Sequence, residues 1–425
     1  MDESIAIAKM LEPTEPHKSG LRINWFSNSP WTNTGYGNQT RLFFNRIRTL
    51  GHELSITAFY GLQGGIMDMG GVTVFPVVKH PYGQDVIGSH AYVWGADIII
   101  TLMDAWVVEP QNIPEKIGWY PWFPIDTEPV HNLIIDRIRK CRKGITMSKF
   151  GQREMSKIGI DTYYVPHGVE TNVFKPLPDK RAAREVARLP QDRYIVGMVA
   201  ANQGLQPIRK AFVEQVEAFA RFKQTHPDAL MYIHTCDGVN QTDKINLPRL
   251  FSTIGLKACY LNPGGVPAEA DVCMPDQYQY SIGQPEFYMN AMYNSFDVMT
   301  LVSMGEGFGI PLIEAQAAGC PVITGEWTSM GELCFGGWKV KREEARKTWV
   351  EGFSSYMYTP APDAILDRMT QAYEMRNNRD YNERARQGAQ MYDADRVLEK
   401  YWKPVLEDIA RRTKGEETEL ELVRF

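Results

Sequence analysis

The chain has 425 residues, of which 44% are hydrophobic and 23% charged, with a formal net charge of −5. That length suits about two domains, each large enough to bury its own core, and the mild acidity excludes a chain-wide attraction to nucleic acid or anionic membrane. Six cysteines without a C-x-x-C pair exclude a cysteine zinc site and a disulfide framework, and no apolar run approaches the ~20 residues of a membrane span. The thiols read as reduced. With an opening segment (MDESIAIAKMLEPTEP) unlike a signal peptide, they predict a cytoplasmic protein.

Residues 1–19 read as a polar extension. From Leu21 onward strands and helices alternate: LRINWFS is a strand, NSPWTNTGYG a loop, and NQTRLFFNRIRTLG a helix stopped by Gly51. ELSITAFYG, GVTVFPVV, ADIIITLM, IGWYPWF, GITMS and TYYVP follow as short apolar strands. This alternation predicts a parallel, doubly wound sheet. A stretch rich in proline and charge near 168–190 predicts a linker. A second series then begins at YIVGMVAA and runs through a helix (RKAFVEQVEAFARFKQTHP) to the strands ALMYIHT, ACYLN, DVMTLVS, PVITG and WKVK. Near the end, apolar residues at helical spacing (Val397, Tyr401, Val405, Ile409) predict terminal helices, followed by a charged tail at 413–425.

The most informative stretch is EGFGIPLIEAQAAGCPVI, from Glu306 to Ile323. It reads as a buried strand, a glycine-broken loop, a helix opening near Pro311 and a second strand, which is the geometry that turns backbone N–H groups and a helix N-terminus toward an anion. Gly307, Phe308 and Gly309 are the candidates for main-chain contact with a diphosphate, because two glycines permit close approach. Glu306 and Glu314 bracket the turn.

At these residues the chain resembles the family-4 type of retaining, nucleotide-sugar-dependent glycosyltransferases, with their E-x7-E signature. The match takes in the EGFG turn, the proline, the Glu-Ala pair, the small-Gly-x-Pro-Val ending and a downstream Gly331-Glu332. Other stretches, NSPWTNTGYG and YYVPHGVE among them, resemble a branch found in bacteriophages and their hosts. The resemblance implies an α/β GT-B fold with two Rossmann-like, doubly wound domains facing a cleft and a C-terminal helix crossing back to the first domain. It sets an acceptor domain at 20–185, a donor domain at 186–380 and the crossover helix at 381–412. It also implies a UDP- or GDP-sugar as co-substrate, with no permanent cofactor and no metal.

Residue by residue, the resemblance places Glu306 on the donor sugar and Glu314 on the ribose hydroxyls. Lys210, supported by Arg209, takes the leaving-group charge, and Asn202 stands where the family has a strand-end arginine. Gly35, Tyr36 and Gly37 form a loop toward phosphate and acceptor; taken alone, G-x-G is equally a plain tight turn. Asp104 and Asp126 follow apolar strands, whose C-terminal ends face the crevice in open α/β sheets, so either can orient or deprotonate the acceptor; an ordinary loop or capping aspartate is the alternative. Ile125 stands where many members carry a histidine. His167 reads as a hinge-loop residue, and Asp393-Ala394-Asp395, although it matches D-x-D, reads as a helix cap.

Arg139, Lys140, Arg142 and Lys143 form a basic cluster that is either a solvated face or a seat for a polyanionic acceptor such as DNA. The acceptor is thus a hydroxylated DNA base, a virion protein, a glycan or a lipid. Two other functions fit the residues less well, a GT-B epimerase and an inactive sugar- or DNA-binding module.

Overall fold

Short apolar runs become strands buried on both faces, as Ile98–Leu102 does at all five positions, which is what a parallel sheet covered by helices demands. The computed structural model describes residues 20–204 and 207–415. Its first half contains strands β1 (Arg22–Asn28), β2 (Glu53–Gln63), β3 (Met67–Asp68), β4 (Thr73–Val77), β5 (Ile98–Leu102), β6 (Gly118–Phe123), β7 (Gly144–Thr146) and β8 (Thr162–Tyr164). They form one sheet in the order β3-β4-β2-β1-β5-β6-β7-β8, parallel except for the β3–β4 pair.

The second half contains β9 (Tyr194–Val199), β10 (Ala229–His234), β11 (Ala258–Tyr260), β12 (Val272–Met274), β13 (Val298–Leu301), β14 (Val322–Gly325) and β15 (Gly337–Val340). They form a parallel sheet in the order β11-β12-β10-β9-β13-β14-β15. An antiparallel hairpin, β16 (Ala345–Val350) and β17 (Ser355–Pro360), stands apart from both sheets. β3, β12 and this hairpin are not anticipated from the sequence; the hairpin is half exposed and carries little continuous apolar signal.

Seven helices matter for the site: α1 (Gly35–Thr49), α2 (Lys149–Lys157), α3 (Phe212–Thr225), α4 (Glu286–Ser295), α5 (Ile310–Ala317), α6 (Asp380–Ala389) and α7 (Lys403–Thr413). Three boundaries differ from expectation. Gly35, Tyr36 and Gly37 are the first turn of α1 and not a loop, because Thr34 caps the helix by accepting from the Gly37 amide. Arg209 and Lys210 lie in a turn before α3, since Ala211 adopts a left-handed conformation (φ 49°) that delays the helix to Phe212. The terminal helix is broken at Asp393, whose carboxylate accepts from the Asp395 and Arg396 amides and starts a new helical segment.

That segment crosses back to the first lobe. Trp402 is fully buried, with its ring 4.9 Å from Trp122, 5.7 Å from Trp25 and 6.0 Å from Phe43. Where the chain passes between the lobes, Gln39 clamps Gly168 with two hydrogen bonds (2.8 and 2.9 Å). The backbone of Val169 pairs with Tyr392 and Ala394. The expected extension at 1–19 and most of the charged tail lie outside the described residues.

Candidate functional site

The carboxyl ends of both sheets face each other, and the chemistry-bearing residues gather there. Arg209 and Lys210 precede α3, and Glu306 follows β13 in the turn that leads to α5. The Glu306 carboxylate is 3% exposed and fully engaged. It accepts from Lys210 Nζ at 2.5 Å, Arg209 Nη1 at 2.7 Å and Ser303 Oγ at 2.6 Å. Burial pushes its proton affinity up, but Arg209 and Lys210 overcome this and hold it at about 2. Burial and Arg209 together lower Lys210 to about 8, against the pull of Glu306.

From the first lobe, Asp126 at the end of β6 approaches Arg209 (3.6 Å), and Asp104 follows β5. Burial and then the charge of Asp126 raise Asp104 to about 6. Burial also raises Asp126, with Arg209 opposing. Tyr36 lies within the field of Asp104, Arg209, Asp126 and Glu306; burial and Asp104 keep its phenol protonated. Lys210, Arg209, Glu306, Asp126, Asp104 and Tyr36 are therefore one cluster across the interlobe gap.

The glycine turn has two distinct uses. A Cβ at Gly305 would lie 2.1 Å from the Asp126 carbonyl oxygen, and one at Gly307 would lie 2.2 Å from Pro124 Cβ. These glycines let the lobes touch. Gly309 adopts φ 110° and leads into α5, where it serves as an N-cap without a side-chain donor or acceptor. The loop carbonyls are held: Ser329 Oγ donates to the carbonyl oxygens of Glu306 (2.7 Å) and Phe308 (2.5 Å), and the Glu306 amide donates to Thr328 Oγ1. The amides of Gly307, Phe308, Gly309 and Ile310 donate to nothing among the described residues. Because buried amides are normally paired, this run of free donors at a helix N-terminus is a ready anion site. Gly35, in the first turn of α1, faces it, with a Cβ position 3.6 Å from Ile310 Cδ1. The Phe308 ring itself points into a buried aromatic group, 5.1 Å from His167 and 5.6 Å from Tyr392.

Glu314 sits one turn into α5 and accepts from the Tyr293 hydroxyl at 2.7 Å. Burial raises it to about 7, with the Tyr293 hydrogen bond opposing.

One sequence expectation fails, and one of two readings of the basic cluster gains no support. Asn202 is 1% exposed and its side chain is consumed in holding the 236–245 loop, donating to the carbonyls of Cys236 and Ile245 and accepting from the Ile245 amide. It has no capacity left for a phosphate. Arg139, Lys140, Arg142 and Lys143 precede β7 and lie beside the start of β6, where the Arg142 amide donates to the Trp119 carbonyl. That is the sheet edge opposite Asp126, a strand length of roughly 20 Å from the cleft. Lys143 is also paired with Asp161 (2.5 Å). His167 is 3% exposed, neutral (burial lowers it to about 3) and without a partner at either nitrogen.

Sequence reasoning missed Tyr293, Ser303, Gly305, Thr328 and Ser329. Gly305 was visible as a third glycine in the turn; the others are single hydroxyls whose partners lie far away in sequence. Among the described residues no group of three His, Cys, Asp or Glu side chains is placed to hold a metal ion, and no helix is long and apolar enough to cross a membrane. A cavity of about 270 Å³ opens between the lobes, lined by Phe150 and Arg153 of α2, the 326–332 segment and Arg342.

Two Rossmann-like parallel sheets meeting at their carboxyl edges, with a C-terminal helix returning to the first, define the GT-B fold. Sucrose-phosphate synthase from Thermosynechococcus elongatus superposes with a TM-score of 0.66 at 13% identity, over 93% of this chain and 99% of that one. Anabaena HepE, solved with UDP and glucose, gives 0.62 at 13% identity, over 93% and 100%. In sequence, residues 272–335 match the family model for Glycosyl transferases group 1, a stretch that contains both Glu306 and Glu314. A D-inositol 3-phosphate glycosyltransferase of Acidothermus cellulolyticus is 29% identical over 164 residues, 37% of this chain. The match spans about a third (32%) of that relative's length.

Proposed function

We propose that this protein is a retaining glycosyltransferase that moves a sugar from a UDP- or GDP-linked donor to an acceptor hydroxyl. The observation that carries the reading is the run of four amides at 307–310, unpaired among the described residues, beside two half-buried cations, Arg209 and Lys210. Donors fixed in advance at a leaving diphosphate are the largest electrostatic contribution available to such a reaction. When the diphosphate arrives, the cations redistribute from Glu306 toward it, and Glu306 is freed to accept from the donor sugar. The two cations supply the charge a metal would otherwise bring, so the proposed transfer is metal-independent.

Once Glu306 accepts from the donor sugar, no carboxylate of the cluster is left as a dedicated nucleophile, which favours front-side displacement over a covalent intermediate. The acceptor oxygen bonds to the anomeric carbon on the face from which the phosphate departs. The bond to phosphate breaks with its electron pair on the diphosphate, which takes the acceptor proton directly or through Asp104 or Asp126. The placement of the basic cluster on the far edge of its sheet gives no support to a DNA acceptor. The acceptor panel is therefore glycans, lipids, proteins and, after the curated relatives, D-inositol 3-phosphate. Six free thiols fit a cytoplasmic setting.

Nucleotide release from UDP- and GDP-sugars, with and without the acceptor panel, tests the proposal. Glu306→Ala is a poor probe, because it removes the side-chain volume together with the carboxylate. Glu306→Gln keeps the shape and should lower turnover at least ~100-fold in a folded protein. Chelators should leave the rate unchanged. An inverted product anomer, a trapped glycosyl-enzyme, or unchanged turnover in Glu306→Gln would overturn the mechanism.

A further inference from the structure

We propose that Tyr293 is a positioning residue for the donor nucleotide: its hydroxyl holds one oxygen of Glu314 so that the other faces the ribose diol. This rests on the nucleotide-sugar reading above and extends it to a residue outside the signature. Glu314 Oε2 accepts from Tyr293 Oη at 2.7 Å, while Oε1 has no protein donor among the described residues. Tyr293 is itself fully buried at 0% exposure, and α4 gives its ring no freedom. Phe174 from the interlobe linker packs edge-on at 6.0 Å, and Phe296 does so at 6.2 Å. A phenol has a single proton to donate, and Glu314 is the only hydrogen-bond partner the described residues give it.

The consequence is a carboxylate with a set orientation and spare accepting capacity. A carboxylate has about four lone-pair sites; one is taken by Tyr293, and a cis-diol can use the open oxygen and the remaining lone pair of Oε2. Glu286 on α4 and Arg41 on α1 are the nearest charges, and they pair with each other across the cleft at 2.6 Å. Their fields at Glu314 oppose each other, so the orientation comes from Tyr293 and not from a cation. A bare carboxylate would rotate among its rotamers and meet the ribose at a loss of entropy; the fixed one does not.

A structural role, stabilising a buried acid, predicts the same geometry but a different binding pattern. The test compares UDP with 2′,3′-dideoxy-UDP, and GDP with its dideoxy form, by titration calorimetry on the full chain. Tyr293→Phe should weaken the cognate ribonucleotide about tenfold and leave the dideoxy nucleotide unchanged. Glu314→Gln should show the same selectivity, and the double variant should lose no more than Glu314→Gln alone. Equal losses for both nucleotides, no loss for either, or additive losses in the double variant would overturn the proposal. If Tyr293→Phe does not fold, Glu314→Gln alone decides, and equal losses for the ribo- and dideoxynucleotides in that variant would overturn the proposal. Failure of the unaltered protein to bind any nucleotide is a separate result and overturns the underlying nucleotide-site reading.

Discussion

On the proposed reading, donor binding needs Lys210 protonated and Glu314 ionised. Burial lifts Glu314 to about 7, so below that it carries a proton and can no longer accept from two hydroxyls. Burial and Arg209 bring Lys210 down to about 8, so above that it loses the charge proposed to meet the phosphates. Nucleotide affinity should therefore be bell-shaped, greatest between about 7 and about 8. Glu314→Gln should remove the acid limb and Lys210→Arg the alkaline one. Dissociation constants measured from about pH 6 to about pH 9 check this; a flat profile would mean that neither group touches the ligand.

Among elements, the glycine turn between β13 and α5 does the most. It brings the lobes into contact at Gly305 and Gly307, leaves four amides free and opens the helix that carries Glu314. Gly307→Ala would place a methyl against Pro124 and force the lobes apart by a fraction of an ångström to an ångström. Catalytic efficiency should fall ~10–100-fold, because small misplacements of reacting groups are costly, and stability by about 1–3 kcal/mol. Gly65→Ala, whose Cβ would meet nothing within 4 Å, is the control. Kinetics on both variants decide it, and equal activity would mean that closure at this contact is dispensable.

This turn was legible in the sequence because its glycines, proline and acids are local and their spacing is specific. The parallel sheets were legible too, since strands buried on both faces write continuous apolar runs. Tyr293 was not, because its partner lies on another helix and a tyrosine in an apolar helix reads as core. Asn202 misled for the same reason in reverse: its position at a strand end suggested a ligand, while the 236–245 loop that consumes it is remote in sequence. The basic cluster left two readings open because a run of charges carries no information about which end of a strand it occupies.

At the scale of the whole molecule, the two sides of the cleft are tied with unequal strength. The hinge side is buried: Gln39 on Gly168, the aromatic group around Phe308 and His167, and the Trp402 anchor all exclude water. A more exposed link is Arg41–Glu286, whose side chains are 42% and 41% exposed, with Asn33 donating to the Ile282 carbonyl at 3.3 Å. An exposed pair of this kind contributes about 0–1 kcal/mol. On the proposed reading, parting the lobes to admit a donor must also release Glu128 from Arg342 (2.5 Å) and the Tyr358 hydroxyl (2.9 Å), and the Pro129 carbonyl from Ser355 Oγ (2.5 Å).

Titration calorimetry of UDP and GDP against the unaltered chain and Lys210→Met measures the central claim most directly. The account predicts that one nucleotide binds with a dissociation constant in the micromolar range, and that Lys210→Met, which keeps the side-chain length and removes the charge, weakens it at least ~10-fold in a protein that still unfolds cooperatively. Absence of binding to the folded protein, or equal affinity in the variant, would contradict it.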